Sequence, residues 1–150
     1  MEVLNLIRKS FLVFGKKFEI FVSGNSMEPM INDGDKIEIT YISSCVLGDI
    51  IVFEHDETIL VHRILKIDNE YVYCKGDNSF RLERVAFDQI IGKVSKVNSR
   101  ELRVFPMTLI YLSYNIGKIF EKNHSIEKTC NKLQYKIYKK CINQLRTRKG

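Results

Sequence analysis

The stretch Asp49-Ile50-Ile51-Val52-Phe53-Glu54-His55-Asp56-Glu57-Thr58-Ile59-Leu60-Val61-His62-Arg63-Ile64-Leu65-Lys66-Ile67 holds two runs of Ile, Val, Leu and Phe parted by an acidic turn. Branched and aromatic residues in short runs bounded by turn residues predict strands over Asp49–Glu54 and Ile59–Ile67. On either side, Phe18–Ser23, Lys36–Ile42, Tyr71–Lys75 and Ile90–Val97 repeat that composition. Between the runs stand Gly-Asn, Asp-Gly-Asp, Leu-Gly-Asp, Asp-Asn and Gly-Asp-Asn, the chemistry of tight turns. Six or more short strands without alternating helices predict a mainly β, antiparallel or mixed body rather than a βαβ sheet. On such a body, functional groups belong at strand ends and loops.

The flanks change period. Val3, Leu4, Leu6, Ile7, Phe11, Leu12 and Phe14 recur at helical intervals up to Gly15, so a short N-terminal helix is expected within residues 1–17. The β body is assigned to residues 18–104 and a helical extension to 105–150. In that extension Ile126, Cys130, Leu133, Ile137, Cys141 and Leu145 recur every three or four residues, opposite Lys128, Lys132, Lys136, Lys139 and Lys140. Residues 118–150 hold ten Lys or Arg against Glu121 and Glu127, a balance of +8, so with a net charge of +6 the other 117 residues sum to −2.

A basic excess at one end points to an acidic partner for the appendage, and an anionic membrane surface against the 118–150 tail is the expected one. Packing of the apolar stripe on the β body is the competing reading. Nucleic acid is not expected, because aromatic residues are not interleaved with the basic ones. No run near the N-terminus supplies the ~20 apolar residues of a membrane span, since Arg8, Lys9, Lys16, Lys17 and Glu19 interrupt it. Val104–Ile116 comes closest, with 13 residues including Pro106, Ser113 and Asn115, and suits either a membrane interface or the core. The expected location is membrane-associated or cytoplasmic, without a clear transmembrane span. Cys45, Cys74, Cys130 and Cys141 form no C-x-x-C pair and have no histidine at ligand spacing, so neither a metal nor any other cofactor is expected.

Between the first two strands runs Ser23-Gly24-Asn25-Ser26-Met27-Glu28-Pro29-Met30-Ile31-Asn32-Asp33-Gly34-Asp35, a hydroxyl in a Gly-led turn. A serine acts as a nucleophile only if a base takes its proton and N–H groups hold the developing oxyanion. Backbone N–H groups of Gly24, Asn25 and Ser26 could supply the second need. The alternative is a loop serine bonded to its own backbone. Of three histidines, His55 sits in an acidic turn and His124 in the basic tail. His62 lies on a strand among apolar neighbours, and an ordinary histidine pKa near 6.5 suits proton exchange around neutrality. A catalytic histidine wants a carboxylate to fix its tautomer. Asp77 of Gly76-Asp77-Asn78 offers one, with Gly76 permitting an unusual backbone angle that aims it inward.

Ser26-Met27-Glu28-Pro29, Gly48-Asp49-Ile50-Ile51-Val52-Phe53, Val61-His62-Arg63-Ile64 and Lys75-Gly76-Asp77-Asn78, in that order, resemble the motif series of type I signal peptidases. The resemblance covers roughly residues 18–97 and follows the branch with a histidine base, as in endoplasmic-reticulum and archaeal enzymes. It implies a β body of the signal-peptidase and LexA catalytic type, with Ser26 as nucleophile, His62 as base and Asp77 as orienting carboxylate. It also places Glu83 where that branch carries a further aspartate before arginine. Substrates implied are peptides or preproteins bound extended, with small residues near the cut. Met27 would then line a shallow pocket and Pro29 stiffen the turn, unless both simply pack in the core.

The family usually carries a serine two residues before the nucleophile, where this chain has Gly24. Loss of that hydroxyl donor weakens turnover by ~10²-fold unless another donor replaces it. Ser23-Gly24-Asn25-Ser26-Met27 followed by Ile31-Asn32-Asp33-Gly34-Asp35 also resembles the self-cleaving repressors of the LexA and UmuD group. That group uses a lysine base and cuts its own Ala-Gly or Cys-Gly bond, a dipeptide this sequence lacks. The 25 residues before Ser26 are also too few for a helix-turn-helix domain. A non-catalytic peptide-binding relative is a further alternative.

Overall fold

The computed structural model describes residues 17–122 and 130–147. The helix expected before Gly15 lies outside the described residues. Strands β1 (Lys17–Phe21), β2 (Lys36–Thr40), β3 (Ile50–His55), β4 (Thr58–Ile67), β5 (Tyr71–Lys75), β6 (Leu82–Ala86), β7 (Ile90–Val97) and β8 (Arg100–Glu101) precede helices α1 (Met107–Lys122) and α2 (Cys130–Thr147). The strands form one sheet in the order β1-β2-β7-β3-β4-β5-β6, with β8 also on β7. Every pairing is antiparallel. This is the mainly β body with helical extension that the sequence predicts.

The run Ile50–Phe53 is apolar throughout because both its faces are buried. Ile50 and Val52 join Ile37, Ile39, Ile91 and Val94 in one core cluster. Ile51 and Phe53, on the other face, join Ile64, Val72, Cys74, Val85 and Ile90. Burial of each such side chain contributes about 1.5–3 kcal/mol relative to exposure. A third cluster, around Leu65 and Leu82, is closed by Phe105, Leu109, Ile110 and Ile116 with Tyr138 and Ile142 of α2. Val104–Ile116 therefore contributes its buried residues to the core. Among the described side chains of α2, Tyr138, Cys141 and Ile142 face inward and Ile137, expected to do so, is 50% exposed, while Ile126, Cys130, Leu133 and Leu145 of the expected stripe lie outside the described side chains.

Strand β6 escaped the composition reading because Glu83 and Arg84 interrupt its apolar run. Register explains both charges: Glu83 stands opposite Cys74, facing inward, and Arg84 opposite Tyr73, facing out. Arg84 lies 4.3 Å from the Tyr71 ring centroid. Strand β8 is only two residues long, too short to leave a pattern.

Candidate active site

The loop between β1 and β2 is anchored at both ends before it presents any chemistry. Val22 N–H donates to Asp35 O at 2.9 Å and Gly34 N–H to Val22 O at 2.8 Å, closing its neck. Met27 and Ile31 plunge into the core beneath it. Met27, 2% exposed, is thus a packing residue that fixes the loop rather than the lining of an open pocket. Pro29 follows Glu28 through a cis peptide bond.

This anchoring leaves Ser26 partly accessible, with its Oγ 3.3 Å from His62 Nε2. His62 sits on β4 opposite Ile51, and Phe53 meets its ring edge-on at 5.9 Å between centroids. Its other nitrogen, Nδ1, lies 3.0 Å from Glu83 Oε2. Both side chains of that pair are about 5% exposed or less. With Nδ1–H donating to the carboxylate, Nε2 presents a lone pair to the Ser26 hydroxyl. Serine, histidine and carboxylate thus form one hydrogen-bonded line.

Asp77 is not the carboxylate on His62. Its Oδ1 accepts from Arg63 Nε at 2.9 Å and from Tyr138 Oη at 3.0 Å, and its Oδ2 from Arg63 Nη2 at 2.7 Å. Arg63 also donates to Gly48 O at 2.9 Å and stacks 3.8 Å over the Phe105 ring. Burial works against its charge, but Asp77 more than offsets that and raises the Arg63 pKa. The reason for the split is parity: His62 shares the face of Ile64, Cys74 and Glu83, whereas Arg63, the next residue, takes the other face.

The turn after β5 serves the serine through its backbone. Asn78 N–H donates to Ser26 O at 2.7 Å, and Asn78 Nδ2 donates to Asn25 O at 2.9 Å. Gly76 is required by this approach and not by an unusual φ: a Cβ there would lie 2.5 Å from Ser26 O and 3.1 Å from His62 Nε2. The side chain of Lys75, behind the turn, donates to Gly76 O at 2.9 Å and Ser79 O at 2.7 Å. Its burial pushes the amine pKa down to about 8. Those two carbonyls, and not Ser26, are its hydrogen-bond acceptors.

With their carbonyls held, Asn25 and Ser26 have N–H groups that meet no acceptor among the described residues. Gly24 differs from the expectation, because its N–H donates to Asp33 Oδ1 at 2.8 Å. Two backbone donors thus stand beside Ser26 where three were expected. Among the described residues no group of three or more His, Cys, Asp or Glu is placed to hold a metal. None of the described helices is long and apolar enough to cross a membrane.

Asn78, Arg63, Lys75, Phe53 and Asp33 stand within the sequence motifs, but residue type alone assigns them no role, and Tyr138 lies outside those motifs. Asn78 had a usable signal, since a side chain able to donate and accept beside a Gly-Asp turn suits bridging two loops. Tyr138 had none. Residues 6–95 match the model of the Peptidase S24-like family. No curated protein matches the chain.

Proposed function

Because the chain belongs to the Peptidase S24-like family of serine peptidases, we propose that it is a serine endopeptidase of the signal peptidase I type, removing signal or leader peptides. The observation that carries this reading is the line from Ser26 Oγ through His62 to Glu83, at 3.3 and 3.0 Å. Ser26 Oγ attacks the scissile carbonyl as His62 Nε2 takes its proton, and the Glu83 carboxylate stabilises the imidazolium. The N–H groups of Asn25 and Ser26 receive the oxyanion. His62 then returns the proton to the leaving amine, the acyl chain stays on Ser26, and a water activated by His62 releases it.

Strand β1 leads directly into the Ser26 loop and pairs on one side with β2. Among the described residues its other side is a sheet edge, on which an extended substrate can add as a strand, with small residues near the cut. The family match favours a second reading, a self-processing regulator of the LexA and UmuD kind. One experiment separates them. The purified protein is incubated alone and with candidate precursors, and new termini are identified by mass spectrometry against Ser26→Ala and His62→Ala controls. Cleavage of added precursors that both substitutions abolish supports the peptidase. New termini in the chain itself would favour self-processing, and undiminished cleavage by either variant would sink the Ser26–His62 mechanism.

A further inference from the structure

The turn that grips Ser26 is itself held from behind by a helix outside the family unit. The match ends at residue 95, whereas Tyr138 lies on α2 and is fully buried. Its hydroxyl reaches Asp77 Oδ1 at 3.0 Å, and its ring lies 6.4 Å from that of Phe105 and 5.3 Å from Lys75 Nζ. Asp77 stands between Gly76, whose missing Cβ makes room for the Ser26 carbonyl, and Asn78, which bonds that carbonyl. A displacement of Asp77 is therefore transmitted through one peptide unit to each of the two residues that locate Ser26 against His62.

We propose that Tyr138 is a positioning residue for the nucleophile: its hydroxyl fixes Asp77, and through the Gly76–Ser79 turn it sets the Ser26 backbone at the distance His62 requires. The inference rests on Ser26 and His62 being nucleophile and base. Arg63 supplies two bonds to the same carboxylate, but both come from the neighbouring strand β4. Tyr138 supplies the third from a different element, helix α2, within the third core cluster. The hydroxyl thus ties Asp77 to a second element besides β4, and small misplacements of a reacting atom are costly in rate.

The test is Tyr138→Phe in the full chain, which keeps the ring packing and removes only the donor. Two quantities are read: kcat and KM on a cleaved precursor, and hydrogen exchange of the Asn78 amide. The expected result is a fall in kcat of about tenfold with KM unchanged, together with faster exchange at Asn78. Ile142→Val, which trims the same helix where it meets the core, serves as the control and should leave both readouts at wild-type values. Wild-type exchange and kcat in Tyr138→Phe would overturn the proposal. Equal losses in Ile142→Val would also overturn it, by reducing α2 to general stabilisation. If the wild-type protein cleaves no precursor, the peptidase reading fails separately, and Asn78 exchange still decides whether Tyr138 holds the turn.

Discussion

Glu83 Oε2 lies 3.0 Å from His62 Nδ1 across the width of β5, with both side chains almost wholly shielded from water. A carboxylate there fixes the tautomer that leaves Nε2 free to accept a proton, and it balances the charge His62 gains. Glu83→Gln keeps the size of the side chain but removes the negative charge. Its kcat/KM should fall by roughly 10³-fold with the fold unchanged by circular dichroism. Near-wild-type turnover in this variant would remove Glu83 from the mechanism.

Asp77 answers to stability first. Arg63 is 2% exposed, and among the described residues only the Asp77 carboxylate balances its charge. Asp77→Asn leaves a buried guanidinium uncompensated, for which about 3–5 kcal/mol is expected in urea unfolding. Adding Arg63→Met to Asp77→Asn should recover part of that loss, since two neutral groups avoid the desolvation cost of one stranded charge. Additive losses in the double variant would contradict this account.

Gly76 tests the close approach. A Cβ at 2.5 Å from Ser26 O and 3.1 Å from Ser26 C forces the nucleophile loop or the turn to move. Gly76→Ala should cost about 1–3 kcal/mol and lower kcat/KM by roughly 10²-fold. Gly24→Ala makes the comparison: nothing lies within 4 Å of its Cβ, and its penalty arises from φ of +101° alone. A thermal melt and a cleavage assay on both variants distinguish contact from strain. Full activity in Gly76→Ala would count against the loop–turn contact.

Lys75 gives the pH prediction. Burial depresses its folded pKa to about 8 from an ordinary value of 10.5, while Asp77 and Glu83 favour its charge and Arg63 opposes it. Between those two values the unfolded chain holds more protons than the folded one, so this residue's contribution to stability rises with pH across that window. Below pH 8 the penalty for the buried charge is fully present. The burial-raised Tyr138 opposes the rise only near pH 10, where unfolded tyrosine begins to ionise. Stability of the wild type relative to Lys75→Met should therefore increase by about 2 kcal/mol between pH 7.5 and 10. Parallel pH profiles for the two proteins would show that Lys75 does not titrate in this range.

The sequence by itself determined the β body and the pairing of Ser26 with His62. Strand composition and turn residues are local properties, and four motifs in fixed order carry the site across the chain without coordinates. It pointed to Asp77 rather than Glu83 as the carboxylate on His62, and the geometry differs because that choice depends on which face each neighbour occupies. Cys74 stands opposite both Ile64 and Glu83, which puts Glu83 on the face of His62 and leaves Arg63, one residue on, to the opposite face and Asp77. A shift of one residue in that register would exchange the faces. The rotation of α2 was likewise beyond the sequence. Helical periodicity marks a stripe, but packing against Phe105 and the buried ions turned Tyr138 inward and left Ile137 half exposed. Local pattern marked Ser26 and His62 as partners. Register and helix packing, which are non-local, decided which carboxylate meets His62 and what surrounds Ser26.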